Sequence, residues 1–162
     1  MPVRQNGHSF VAGAAGAGAG FSCTRVTSRT IKNTAAAAQP GDPVSLARAT
    51  NAISGVMADF CAIYEPTVPA PILELDYLGR ELVLDGMSSD FTSANKDLDA
   101  LVKTWQGLLE KVLNAGGKKA ADDYEASLTQ LDYVISAQDA NAVVAAAKTN
   151  LDLVDELENV FK

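Results

Sequence analysis

One histidine, His8, and two cysteines, Cys23 and Cys61, are the whole supply of imidazole and thiol in this 162-residue chain. His8 and Cys23 both fall within residues 1–41, so neither a Ser-His nor a Cys-His couple can form in the part that follows. Haem ligation by a histidine, and a di-iron centre built on Glu-x-x-His pairs, are excluded for the same reason. A zinc site wants Cys and His in clusters, and the sequence has none. Gly116–Gly117–Lys118 lacks the earlier glycine spacing and the following Ser or Thr of a phosphate loop. Met57 and Met87 are too few and too far apart for a methionine copper site. These absences predict a protein that is not an enzyme and carries no cofactor and no metal.

Carboxylates are what remains. Asp122, Asp123 and Glu125 open one predicted helix, and Asp152, Asp155, Glu156 and Glu158 run along the next. Acids in a first turn are favoured by the helix dipole, which gives Asp122 and Asp123 a structural purpose. Asp152, Asp155 and Glu156, at i, i+3 and i+4, share one polar face. Such a face could gather Ca²⁺ weakly, but no loop supplies the usual six to eight oxygens. It reads first as a solvated face, and second as a contact surface for a protein partner. Trp105, with Tyr77, Tyr124 and Tyr133, could line a pocket between helices, but Trp105 lies on an apolar seam and reads as core.

The elements that would carry these groups are helical. Asp42 can cap a helix whose first turn holds Pro43. Leu46, Ala49, Ile53, Val56, Phe60 and Ile63 then recur at steps of three and four, a predicted bundle-facing seam closed by Glu65–Pro66. The stretch PTVPAP predicts a stiff, extended link. A second helix is expected from Ile72 to Asp85, with Ile72, Leu75, Leu78 and Leu82 inward and Glu74, Glu81 and Asp85 as an outer acidic stripe. Leu73, Val83 and Leu84 widen its apolar surface, which implies cover on more than one side or contact with a partner. Gly86 is read as its end and Ser88 or Ser89 as the next cap. Phe91, Ala94, Leu98, Leu101, Trp105, Leu108, Val112 and Ala115 form the third and strongest seam, stopped at Gly116–Gly117. A fourth helix carries Ala121, Tyr124, Leu128, Leu131 and Ile135. Asp139 caps a fifth with Val144, Ala147, Leu151, Val154 and Phe161. The short links between the last three helices predict antiparallel neighbours, hence an all-α, up-and-down bundle of four to five helices.

Charge divides the chain near Gly41. Residues 1–41 hold Arg4, Arg25, Arg29 and Lys32 and no acid, whereas residues 42–162 hold all 20 acidic residues against nine of the 13 basic ones, a net charge of −11. Residues 1–41 are read as a signal, targeting or tether segment, disordered or removed, and 42–162 as the acidic bundle. A small, weakly apolar stretch after Arg4 suits bacterial export, with Cys23 as a possible lipidation site. The acid-free run CTRVTSRTIKNT suits an organelle transit peptide instead, and a tail with no address is the third reading. Cys61 reads as a small apolar residue on a helix flank, with a Cys23–Cys61 disulfide left open. No run of about 18 or more strongly apolar residues exists, so no spanning helix is expected.

The acidic surface argues against nucleic acid and against direct docking on anionic lipid. In size and helix pattern the domain resembles the extrinsic bundle subunits on the periplasmic or lumenal side of membrane complexes, including photosystem accessory bundles. That resemblance implies an exported, periplasmic or lumenal accessory or scaffold protein. It would reach the membrane only through a lipid anchor or a bound partner within a larger assembly. The expected contact residues are Asp122, Asp123, Glu125, Asp152, Asp155 and Glu156. The alternative is a bundle that binds a small ligand or metal ion.

Overall fold

Asp42 accepts hydrogen bonds from the backbone N–H groups of Val44 and Ser45 and starts α1, Pro43–Cys61. Four helices follow it: α2 Ala70–Ser88, α3 Phe91–Asn114, α4 Lys118–Ser136 and α5 Ala140–Asn159. The structure is a computed structural model that describes residues 42–61, 63 and 67–162, apart from the side chain of Phe60. The readings of residues 1–41, including Cys23, and of Glu65–Pro66 lie outside those residues.

Helices α2 to α5 close into a ring. Each packs on its neighbour in sequence, and α2 meets α5 to complete the circuit. Side-chain pairings show that the neighbours run antiparallel: Trp105 of α3 meets Tyr124 of α4, Ser127 of α4 meets Asn150 of α5, and Gly79 and Gly86 of α2 meet Leu151 and Val144 of α5. Helix α1 lies outside this ring, against α2. Over the described residues the fold is therefore an all-α five-helix bundle with no strand.

The α3 seam holds between its two ends, with Ala94, Leu98, Leu101, Trp105, Leu108 and Val112 all buried. So does α4, where Ala121, Tyr124, Leu128, Leu131 and Ile135 are buried. In α5 the central line is Val143, Ala147, Asn150, Val154 and Leu157. The expected Val144 and Leu151 sit one residue round and pack on the glycines of α2 instead. Each fully buried aliphatic side chain contributes about 1.5–3 kcal/mol, which is what holds the ring.

Several boundaries differ from the sequence reading. Gly86 does not end α2; it is buried within it. A Cβ on Gly86 would lie 2.8 Å from Val144 Cγ2 and 3.1 Å from the Val144 backbone nitrogen, so this glycine lets α5 come close. Helix α2 stops at Ser89, whose φ of 56° is left-handed, and Asp90, not a serine, caps α3 by accepting from Ser93 N. The Pro-rich link is shorter than read, because Ala70 and Pro71 already belong to the first turn of α2. Helix α4 begins at Lys118, four residues before Asp122, so no acid stands in its first turn. Asp122 and Asp123 instead pair with Lys118 and Lys119 one turn back.

Gly86→Ala is expected to lower stability in a urea titration by about 1–3 kcal/mol, through overpacking against β-branched Val143 and Val144. Gly107→Ala, where an added Cβ meets nothing within 4 Å, should gain about 0.5–1 kcal/mol. The opposite signs separate packing from helix propensity.

Candidate functional site

Helix α1 is attached differently from what its apolar pattern suggests. At about 100° per residue, Leu46 and Ile53 of the expected seam lie on the side opposite Arg48, Asn51, Gly55 and Ala58, while Val56 stands on the flank beside Glu74 and Tyr77 of α2. It is this second, largely polar and small stripe that packs on α2. Among the described side chains of the helix Asn51 and Ala58 are buried, whereas Leu46 is 38% exposed, Met57 49% and Ile63, beyond the helix end, 64%. Leu46 and Ile63 are therefore not part of a bundle-facing seam.

The reason is charge. Glu81 and Asp85, one turn apart on α2, are both buried, with Asp85 at 0% exposure, so they do not form an outer acidic stripe. Two buried carboxylates need a cation, and Arg48, the only basic residue of α1, supplies it. Its Nη1 donates to Glu81 Oε2 at 2.7 Å and its Nη2 to Asp85 Oδ1 at 2.6 Å, with Ser88 Oγ at 3.2 Å. Asn51 Nδ2 adds bonds to Glu81 Oε1 at 2.9 Å and to the Tyr77 carbonyl at 3.0 Å. Lower down, Arg80 donates to Ser54 Oγ, and Gly55 lies against the Tyr77 ring.

A third carboxyl completes this cluster from α3. Burial, then the charge of Asp85 and a hydrogen bond with it, push Asp97 up to about 7. Burial also raises Asp85, against the hydrogen bond and charge of Arg48. Burial opposes the Arg48 guanidinium, but the hydrogen bonds and charges of Asp85 and Glu81 outweigh it and hold Arg48 above its ordinary value. No donor among the described residues reaches Asp85 Oδ2, and Asn51 Oδ1 is likewise unpartnered.

The six acids singled out in the sequence are not gathered into one surface. Asp123 and Glu156 line an open groove of about 660 Å³ at one end of the bundle, with Lys119, Leu153 and Val160. Asp155, with Glu158, faces Asp76 of α2, whose carboxyl burial raises and whose partner is Arg80. Asp122 is occupied by Lys118, while Glu125 and Asp152 stand in solvent. Among the described residues no group of three or more His, Cys, Asp or Glu is arranged to hold a metal ion. Trp105 is in the core at 2% exposure and Tyr133 is 70% exposed, so the aromatic residues do not share a pocket. Cys61, at the end of α1, is half-buried and has no disulfide partner among the described residues; the Cys23–Cys61 pairing lies outside them.

Helix α2 is also not a free partner surface. It carries nine buried residues and is covered by α1, α3 and α5. Among the described residues no helix is long and apolar enough to cross a membrane. No family model, curated protein or solved structure matches the chain.

Arg48, Asn51, Glu81, Asp85 and Asp97 were all missed as a group by the sequence reading. Two signals pointed to them: the steps of three, four and three in Arg48, Asn51, Gly55 and Ala58, and the placing of Glu81, Asp85 and Ser88 on one side of an unusually apolar helix.

Proposed function

We propose that this protein acts by contact rather than catalysis, as an exported or membrane-tethered accessory or scaffold subunit of a larger assembly. The observation that supports the reading is α1, which grips its own bundle by a polar stripe and leaves Leu46 and Met57 exposed. Apolar anchors of this kind supply most of the affinity at an interface. The acids on α4 and α5, among them Asp122, Asp123, Glu125, Asp152, Asp155 and Glu156, act at longer range on encounter rate and selectivity.

Co-purification from the native source with mass measurement tests this reading, because it reports processing, lipid and partner together. The expected result is a stoichiometric partner that Leu46→Lys with Met57→Glu releases, while Asp155→Lys with Glu156→Lys slows association and weakens its salt dependence. Turnover of a substrate by the isolated bundle would defeat the proposal. Stoichiometric metal or small-molecule binding, lost on changing Asp123 and Glu156 in the groove, would favour the ligand-binding alternative.

A further inference from the structure

Three carboxyls from two helices meet a single guanidinium from a third, and the guanidinium serves only two of them. Arg48 pairs with Glu81 and Asp85; among the described residues no ion pair reaches Asp97. Asp97, itself half-buried, lies within hydrogen-bond reach of the Asp85 carboxyl, and Asp85 is fully buried and has one oxygen, Oδ2, that no donor among the described residues reaches. Asn51, 6% exposed, turns both its amide hydrogens to α2 and adds no further cation.

We infer that the Asp85–Asp97 pair is a proton-binding site: the folded protein holds one proton between these two carboxyls, and its loss loosens the contact between α2 and α3. Two adjacent carboxylates, one of them fully buried, resist ionising together, and a shared proton supplies the donor that Asp85 Oδ2 lacks. The surroundings reinforce this from each side. Helix α1 presents Arg48, already committed to Glu81 and Asp85. Helix α2 adds Tyr77 and Glu81, and Glu81 is a further negative charge on both members of the pair. From α3 comes Asp90, whose carboxylate is held low by its hydrogen bonds to Ser93 and is engaged as a cap. Helix α5 packs on this end of α2 with Val143 and Val144, which carry no charge.

The sign follows from linkage. Asp97 is an acid raised on folding from 3.8 to about 7, so the native state binds this proton more tightly than the unfolded chain. The stabilisation is full below the unfolded value and is lost as pH rises through about 7. Proton loss leaves three negative charges about one guanidinium. Arg48, and α1 with it, is then drawn in more strongly, while α3 is pushed from α2 at the end joined by Ser89–Asp90.

The thermal midpoint of the full chain, followed from about pH 5 to about pH 8, is expected to fall by several degrees. The caps Asp42 and Asp90 are held below their ordinary value and do not titrate in that window. Asp97→Asn, whose amide can donate where the proton stood, should flatten the profile and melt above the parent protein at the alkaline end. Infrared spectra of the unaltered protein give a readout that needs no variant. A protonated-carboxyl stretch should be present at mildly acidic pH, titrate away near neutrality and be missing in Asp97→Asn and in Asp85→Asn. A midpoint that rises over the same range, or the lack of any carboxyl titrating near neutrality, would overturn the inference. This outcome is independent of whether the bundle has a partner.

Discussion

Trp105→Ala is expected to cost about 3–5 kcal/mol, the largest loss from any single truncation in this core. The indole is 2% exposed, and its ring lies 4.7 Å from that of Tyr124 at an interplanar angle of 45°. It sits between α3 and α4, so removing it opens a void that close-packed neighbours cannot fill. Its Nε1 has no acceptor among the described residues, which already detracts from its contribution. Trp105→Phe should therefore lose clearly less than Trp105→Ala, because it discards an unpaired N–H along with part of the ring. Urea titrations of the two variants measure both effects. A loss under about 1 kcal/mol for Trp105→Ala would contradict the buried placement.

The second large effect is expected at Arg48. Arg48→Met keeps the aliphatic stem but leaves Glu81 and Asp85 without their cation. Removing one partner of a buried pair costs about 3–5 kcal/mol. Arg48 is 31% exposed at its side chain, so solvent reduces this to about 2–3 kcal/mol. The loss should be local. Amide exchange is expected to accelerate throughout α1 while α3, α4 and α5 keep their protection. Adding Glu81→Gln and Asp85→Asn should restore much of the protection of α1, since neutral amides no longer require a guanidinium. Protection of α1 that is unchanged in Arg48→Met would show that another contact holds the helix.

How far the sequence could be read depended on how many sides of a helix are in use. Helix α3 is buried along one line, and its eight-position seam matched the structure except at Phe91, which is half-buried, and Ala115, which caps the end in solvent. Helix α2 is buried on three sides, so its acidic residues could not be assigned outward from periodicity alone. Glu81 and Asp85 look like a surface stripe until Arg48, 33 and 37 residues earlier in the chain, brings a cation to them. For α1 the apolar seam is only partly covered, with Ile53 and Val56 half-buried and Leu46 exposed, while the stripe that carries Arg48, Asn51, Gly55 and Ala58 docks on α2. Gly86 shows the same limit: a glycine near a helix end and a glycine under a crossing helix have one sequence signature. The six surface acids were legible as exposed groups, but their division among a groove, an α2 contact and open solvent needed the angular order of the helices.

The antiparallel placing of α1 on α2 has a mechanical consequence. Asp42 lies at the end of α1 nearest Arg48, and Arg48 meets α2 at Glu81, Asp85 and Ser88, close to where α2 ends. Tension applied through residues 1–41 would enter at Asp42 and fall first on that guanidinium, then on Asn51, then on Ser54 and Gly55. Contacts loaded one after another peel at low force, whereas contacts loaded together resist. The ring formed by α2 to α5 would feel little of the pull until α1 had come away. Arg48 thus sits where a fuse would be placed: a chain held by its first residues would yield an arm of nineteen helical residues before its core was strained.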